Sequence, residues 1–354
     1  MTVSPFDHPY LSGLLGDTET AGRFSAQAEI AAMLAFERAL AEAEAGEGVI
    51  GAEAARAIVT ALGSFEPDMA ALAAGVARDG VVAPELVRQL RAAVGAPHGA
   101  SVHFGATSQD VIDTALVLRL KPVLDRLDAL LAQLASVFGE LEGRCGANAL
   151  MGRTRMQAAI EITTADRIRA WRAPLQRHRA RLAVLRPELL VVQFGGAAGT
   201  LEKLGDKAEA VRKRLADRLG LGDAPQWHSQ RDRLADFAGL LSLITGSLGK
   251  FGQDVALMAQ DGSEIALSGG GGSSAMPHKQ NPVAAEVLVT LARFNATQVS
   301  GMHHALVHEQ ERSGSAWTLE WLLLPQMAVA AVASLVQANA LARQIESMGD
   351  RKGS

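Results

Sequence analysis

Residues 268–282 read S-G-G-G-G-S-S-A-M-P-H-K-Q-N-P and concentrate more chemistry than any other stretch of the chain. Four consecutive glycines, from Gly269 onward, let the backbone take unusual φ and come close to a ligand. Ser273 and Ser274 add hydroxyl donors, Lys279 a cation and Asn281 an amide. Pro282 pre-sets φ for a helix start, and an apolar run follows from Val283. A donor-rich loop ending on a helix N-terminus suits an anionic substrate. It is not a Walker A loop, because Lys279 stands between His278 and Gln280 rather than in G-K-[ST]. It is not a dinucleotide fingerprint, because no β-run precedes the glycines. On the glycines alone, a flexible linker between helices explains the stretch equally well.

Two further polar breaks interrupt apolar sequence. Residues 103–110, H-F-G-A-T-S-Q-D, carry Thr107 and Ser108, and the T-x-x-D spacing of Thr107 and Asp110 is that of a capping box. Residues 152–157, G-R-T-R-M-Q, carry Arg153, Thr154, Arg155 and Gln157. Each has an ordinary explanation by itself: a helix cap in the first case, solvated charges in the second.

The elements that must position these breaks read as helices. Alanine and leucine dominate a hydrophobic fraction of 48%, and aromatics make up only 4%. Residues 25–44, 52–62, 68–78 and 84–94 read as helices of a small N-terminal domain spanning 1–104, behind an irregular arm at 2–18. A central domain, 105–348, then holds five long helices. In the first, Leu116, Leu120, Val123, Leu127, Leu130, Leu134, Val137 and Leu141 step by four and three, with a kink or break expected at Pro122. A helix is expected directly after G-R-T-R-M-Q, running to about residue 186. Residues 189–194 read as an extended connector, and 206–219 as a helix. Leu234, Phe237, Leu241, Ile244, Leu248, Phe251, Val255 and Met258 repeat the stepping. Residues 283–308 and 318–347 complete the set, leaving 349–354 as a tail. With no credible β pairing, the fold class is all-α, a long-helix bundle. Apolar rows this extensive imply an oligomer.

Net charge is −4 and pI about 6.2, so bulk charge implies no nucleic-acid or anionic-membrane partner. The lone Cys145 excludes an internal disulfide and suits a small buried residue. No basic region followed by an apolar core opens the chain, and the apolar run 327–336 is far shorter than the roughly 18 residues of a membrane span. The expectation is a soluble, cytoplasmic protein. No cluster of His, Cys and carboxylates has metal-ligand spacing, so neither metal nor cofactor is expected. His303 and His304, adjacent on a helix, point apart and read as structural or surface residues.

G-S-S-A-M-P-H-K-Q-N-P resembles the signature of the fumarase/aspartase superfamily, and the other two breaks resemble its T-S-x-D and G-R-T-x-x-Q blocks, in the right order. The resemblance covers most of the chain from 18 to about 325. It implies a homotetramer in which the three blocks meet from different subunits. It implies Ser273 as the catalytic serine, with Lys279 and Asn281 on a substrate carboxylate. Thr107, Ser108, Thr154, Gln157 and Ser274 would bind the rest, with Arg153, Arg155 and Arg312 available for further carboxylates. His103 and Glu286 would be supporting residues.

The chain departs from the common pattern at Arg155, where elimination lyases of the superfamily usually carry a histidine oriented by the residue matching Glu286. Without that imidazole the usual acid for a leaving group is gone. Muconate cycloisomerases of the superfamily also lack it, and residues 4–17 and 308–321 resemble that branch. The implied substrate is a small tricarboxylate that closes a ring. The superfamily's usual C-terminal third domain is expected to be absent or reduced. Glu286 is expected to pair with Arg155. The alternatives are an elimination lyase releasing fumarate from a succinyl adduct, and a non-catalytic helical scaffold.

Overall fold

The computed structural model describes residues 4–272, 276 and 280–350. Short helices α1 (Ser12–Leu15) and α2 (Thr18–Gly22) lead into α3 (Ala26–Gly46), α4 (Ala52–Leu62), α5 (Met69–Asp79) and α6 (Ala83–Val94). Ser25 caps α3 by accepting from the Ala28 N–H, and Asp68 caps α5 by accepting from Ala70 and Ala71. These helices pack with Val192, Phe194 and Val211 around a core that includes Met33, Phe36, Leu86 and Leu90.

The long helices are α7 (Ser108–Cys145), α8 (Thr164–Leu189), α10 (Asp232–Asp261), α11 (Val283–His304) and α12 (Ser315–Gln344); α9 (Ala208–Leu219) lies between α8 and α10. The fold is an all-α bundle. The four-and-three stepping predicted for α7 falls on its buried side: Leu120, Val123, Leu127, Leu134, Val137 and Leu141 are at most 4% exposed, while Leu116 and Leu130 are half-buried at the edge of the core. Phe138, Trp171 and Phe251 lock α7, α8 and α10 together, with ring centroids 5.0–5.9 Å apart. Such ring pairs add about 0.5–1.5 kcal/mol beyond their burial. Cys145 is buried at the end of α7.

Three expectations are corrected. First, there is no break at Pro122: α7 runs through it as one helix. The proline's lost hydrogen bond costs about 3 kcal/mol, and Leu120, Val123 and Leu124 are sealed in the core on both sides of it. Second, β pairing exists. Strands β1 (Ala149–Thr154) and β2 (Gln157–Thr163) form an antiparallel hairpin ending at the Thr154–Gln157 pair, so residues after G-R-T-R-M-Q are strand, and α8 starts only at Thr164. The alternating β-branched I-E-I-T-T favours a strand there. Strand β3 (Ile265–Leu267) pairs antiparallel with β4 (Ile345–Met348), which directly continues α12, and Asp350 bridges to Ala149. Third, α10 and α12 are each long and apolar enough, by length and composition alone, to cross a membrane. Both belong to the bundle core, with 61% of each window buried. Residues 190–194 form the expected extended connector, anchored by a bridge between Val191 and Gly222.

Candidate functional site

Thr107 is the N-cap of α7, and its N–H donates to the Asp110 carboxylate at 2.9 Å. Asp110 does more than cap. Its two oxygens also accept from the Gly195 N–H (2.9 Å), the Gly196 N–H (2.9 Å), the Gln193 amide (3.3 Å) and His228 Nε2 (2.8 Å). One buried carboxylate thus ties the T-S-Q-D turn to the G-G-A-A-G-T loop. The two loops touch so closely that only glycine fits at 196: its φ is +69°, and a Cβ would lie 2.9 Å from the Gly105 carbonyl. Arg312 closes the other side, donating to the Ala197 carbonyl at 2.6 Å and more weakly to that of Gly196 at 3.4 Å. Ser108, at the first turn of α7, and Arg312 line one cavity of about 730 Å³ with Trp317 and Thr318. A helix N-terminus facing a guanidinium is a site for an anion.

Below this cavity lies a second buried network. Arg231 makes bidentate contacts to Asp113 (2.5 and 3.1 Å) and Glu320 (2.5 and 2.8 Å), and Trp317 donates its indole N–H to Asp113 at 2.9 Å. Burial works against the Arg231 charge, but Asp113 and Glu320 outweigh it and hold the guanidinium more firmly protonated than usual. His308 sits 3.9 Å from Glu320, and neither of its buried ring nitrogens has a hydrogen-bond partner among the described residues.

His103 Nδ1 lies 2.5 Å from Glu37. Burial opposes its protonation, but the Glu37 carboxylate prevails and raises its pKa. This fixes the start of the T-S-Q-D turn, where His103 itself has φ +59°.

The hairpin β1–β2 presents the second block. Arg155 and Met156 form its two-residue turn, with φ of +46° and +68°. Thr154 and Gln157 flank the turn and are exposed. Arg153 and Arg155 line a separate cavity, also about 730 Å³, with Arg167, Lys250, Asp254, Asp261 and Glu264. Arg153 is not free for substrate within the chain: it is held by Glu264 at 2.7 Å and Asp261 at 2.9 Å.

For the third block, Ser273, Ser274 and Lys279 lie outside the described residues. The ends of that loop are described. Gly271 and Asn281 exchange both backbone hydrogen bonds at 2.9 Å, and Val283 opens α11 after Pro282, as predicted. A Cβ at Gly271 would lie 2.5 Å from the Val283 side chain, so this closure needs glycine. Glu286 is exposed in the first turn of α11 and makes no ion pair among the described residues; the expected pair with Arg155 is not formed within the chain. Among the described residues, no group of three or more His, Cys, Asp or Glu has the arrangement of a metal site. His303 and His304 are exposed, as predicted.

The chain therefore brings Thr107, Ser108 and Arg312 together, groups Arg153 and Arg155 elsewhere, and anchors Asn281 beside the loop of the predicted serine. Sequence reasoning treated Asp110 only as a cap and did not single out Asp113, His228, Arg231 or Glu320. The available signal was two aspartates three apart on an apolar helix and the W-H-S-Q-R-D-R run at a helix start.

Comparison with known proteins agrees with these features. A family profile described as Lyase matches residues 17–301. A protein named 3-carboxy-cis,cis-muconate cycloisomerase from Pseudomonas aeruginosa is 44% identical over 91% of this chain and 72% of its own length. The solved 3-carboxy-cis,cis-muconate lactonizing enzyme of Pseudomonas putida superposes with a TM-score of 0.89 at 39% identity, covering 96% of this chain and 77% of that one. A fumarate lyase from Mesorhizobium sp. BNC1 superposes at 0.88 with 33% identity, covering 94% and 76%. The chain belongs to the lyase family of the fumarase/aspartase superfamily, a family that acts on small molecules.

Proposed function

We propose that the protein is a cycloisomerase that converts 3-carboxy-cis,cis-muconate to 4-carboxymuconolactone in protocatechuate breakdown, by the β-ketoadipate route. The observation that carries this reading is Arg155. It occupies the position where elimination lyases place an acid for the leaving group, and a guanidinium cannot serve as one near neutrality. Ring closure has no leaving group. The relative at 44% identity that bears the cycloisomerase name supports the same reading.

One carboxylate oxygen of the substrate adds to an alkene carbon, and the displaced π electrons move onto a neighbouring carboxyl group as an aci-carboxylate. That charge needs donors placed in advance; losing one such donor costs an enzyme about 2.7–4 kcal/mol. Lys279, Asn281, the loop N–H groups and the α7 N-terminus with Thr107 and Ser108 are assigned this task. Ser273 then gives a proton to the carbon α to the charged group. Three carboxylates become two and a lactone, so each turnover takes up one proton, and Ser273 must be reprotonated from solvent. Thr154, Gln157 and Ser274 bind the remaining substrate, and Arg312 a carboxylate.

The two cavities share no lining residue. We therefore assign the complete site to a homotetramer in which different copies supply the three blocks, and the protein to the cytoplasm. The test is a paired assay on the purified chain: loss of diene absorbance from carboxymuconate against fumarate release from succinyl adducts. Diene loss alone is expected. Fumarate release with carboxymuconate untouched would replace this reading with the elimination lyase, which the structural likeness to a fumarate lyase makes the natural second choice.

A further inference from the structure

The turn that carries Arg155 is built against local preference. A two-residue hairpin turn with positive φ at both positions favours Asn-Gly, because other residues in the left-handed region cost roughly 1–2 kcal/mol each. Here the pair is Arg-Met. Packing does not recover the cost: Met156 is 72% exposed, and Arg155 is exposed too. Retained strain of this kind directs attention to what the turn presents.

It presents a guanidinium to a charged cavity whose other charges are mostly spoken for. Arg153 is neutralised by Glu264 and Asp261, and Lys250 by Asp254, which also accepts from the Trp171 indole. Among the described residues, those three acids are the carboxylates that line the cavity. Arg155 makes no ion pair among the described residues. Arg167, half-buried on the first turns of α8, donates to the Met258 sulfur at 3.8 Å and makes no ion pair among the described residues. Two unpaired guanidiniums from different elements thus line one cavity of about 730 Å³. Planar forks of this type match a carboxylate bidentately.

We propose that Arg155 and Arg167 form a carboxylate subsite that reads the third carboxyl group of the substrate, making Arg155 a specificity-determining residue. The proposal rests on the reading that the site takes a tricarboxylate. It explains why the chain tolerates an unfavourable Arg-Met turn: the side chain that elimination would need there is exchanged for one that selects a more highly charged substrate.

The test is calorimetric titration of the full chain with propane-1,2,3-tricarboxylate and with glutarate, which lacks the central carboxyl group. Wild type, Arg155→Gln, Arg155→Lys and Arg167→Gln are compared, alongside KM and kcat for carboxymuconate. Wild type should prefer the tricarboxylate by about tenfold or more, and each Gln variant should lose most of that preference while holding glutarate within about twofold. Arg155→Lys should keep part of it, and the kinetic loss should fall on KM more than on kcat. Arg155 is exposed, so Arg155→Gln should melt like wild type. A wild type without preference, Gln variants that bind both acids as wild type does, or equal loss of both acids would each overturn the subsite. Normal binding selectivity with no turnover of carboxymuconate would instead overturn the reaction while leaving the subsite standing.

Discussion

Asp110 Oδ1 lies 2.8 Å from His228 Nε2, and neither side chain reaches solvent. With the Thr107, Gly195, Gly196 and Gln193 donors on the same carboxylate, this contact joins the α7 cap, the G-G-A-A-G-T loop and the run before α10. In Asp110→Asn a single amide oxygen replaces two, and an NH₂ group faces donors. Breaking a buried charged network costs about 3–5 kcal/mol. Urea unfolding of the variant should show a loss of that order, together with lower activity as the Ser108 loop loses its anchor. A loss under about 1 kcal/mol would mean that the network contributes little.

Glu44 is fully buried and neither carboxyl oxygen has a hydrogen-bond partner among the described residues. Burial, aided by the nearby Glu37 charge, raises its pKa from 4.5 to about 9. The folded protein therefore holds a proton that the unfolded chain releases above about pH 4.5, and stability should fall as pH rises from there towards 9. His103 works in the same direction. Its pKa is raised, so its contribution is complete below 6.5 and is lost as pH rises through the folded value. Glu44→Gln should flatten the melting temperature between pH 5 and 9, and should be the more stable protein at pH 8 by an amount on the order of a few kcal/mol. Parallel profiles for the two proteins would contradict the assignment.

Arg312 reaches the Gly196 and Ala197 carbonyls from one side of the Ser108 cavity. If its charge also holds a substrate carboxylate, Arg312→Ala should raise KM for carboxymuconate by about tenfold to a hundredfold, which is roughly 1.4–2.7 kcal/mol. Unfolding stability should change by under about 1 kcal/mol, because the stronger bond lost is to the exposed Ala197 carbonyl and the one to Gly196 is long. Steady-state kinetics with a parallel melt separates the two effects. An unchanged KM would remove Arg312 from the site.

Replacing the Arg155-Met156 turn with Asn-Gly tests whether the strain is functional. The double substitution supplies the residues that tolerate positive φ at both positions, so the hairpin should gain about 1–2 kcal/mol by thermal or urea unfolding. Activity on carboxymuconate should fall. A variant more stable and equally active would show that the turn serves no chemical purpose.

The bundle was legible in the sequence because its signal is periodic. The leucine steps of α7 and the Leu234-to-Met258 steps of α10 are one-face patterns that a helix satisfies, and all of those residues are buried except Leu116 and Leu130, which are half-buried. The cap at Thr107 and the helix start after Pro282 were legible because each depends on local residue chemistry. The hairpin was missed because its turn is Arg-Met, the opposite of what a two-residue turn normally requires, so no turn signal separated the strands. The break allowed for at Pro122 does not occur because tertiary burial, not local preference, decides whether the helix continues. The Arg231 network joins positions 113, 231, 317 and 320, and the Asp110–His228 contact spans 118 residues; neither has a local signature. The expected Glu286–Arg155 pair came from a pattern in which histidine, not arginine, is the partner, and the chain does not form it.

The central claim is a ring closure that ends with one solvent-derived proton on carbon. It is tested most directly by running the reaction with carboxymuconate in D₂O and examining the product by NMR, with Ser273→Ala in parallel. The product should be 4-carboxymuconolactone carrying one deuteron at the carbon α to a carboxyl group, and the variant's rate should be lower by at least about a thousandfold, near 4 kcal/mol of barrier. Carboxymuconate left intact by the wild type, or lactone formed as fast without the Ser273 hydroxyl, would contradict it.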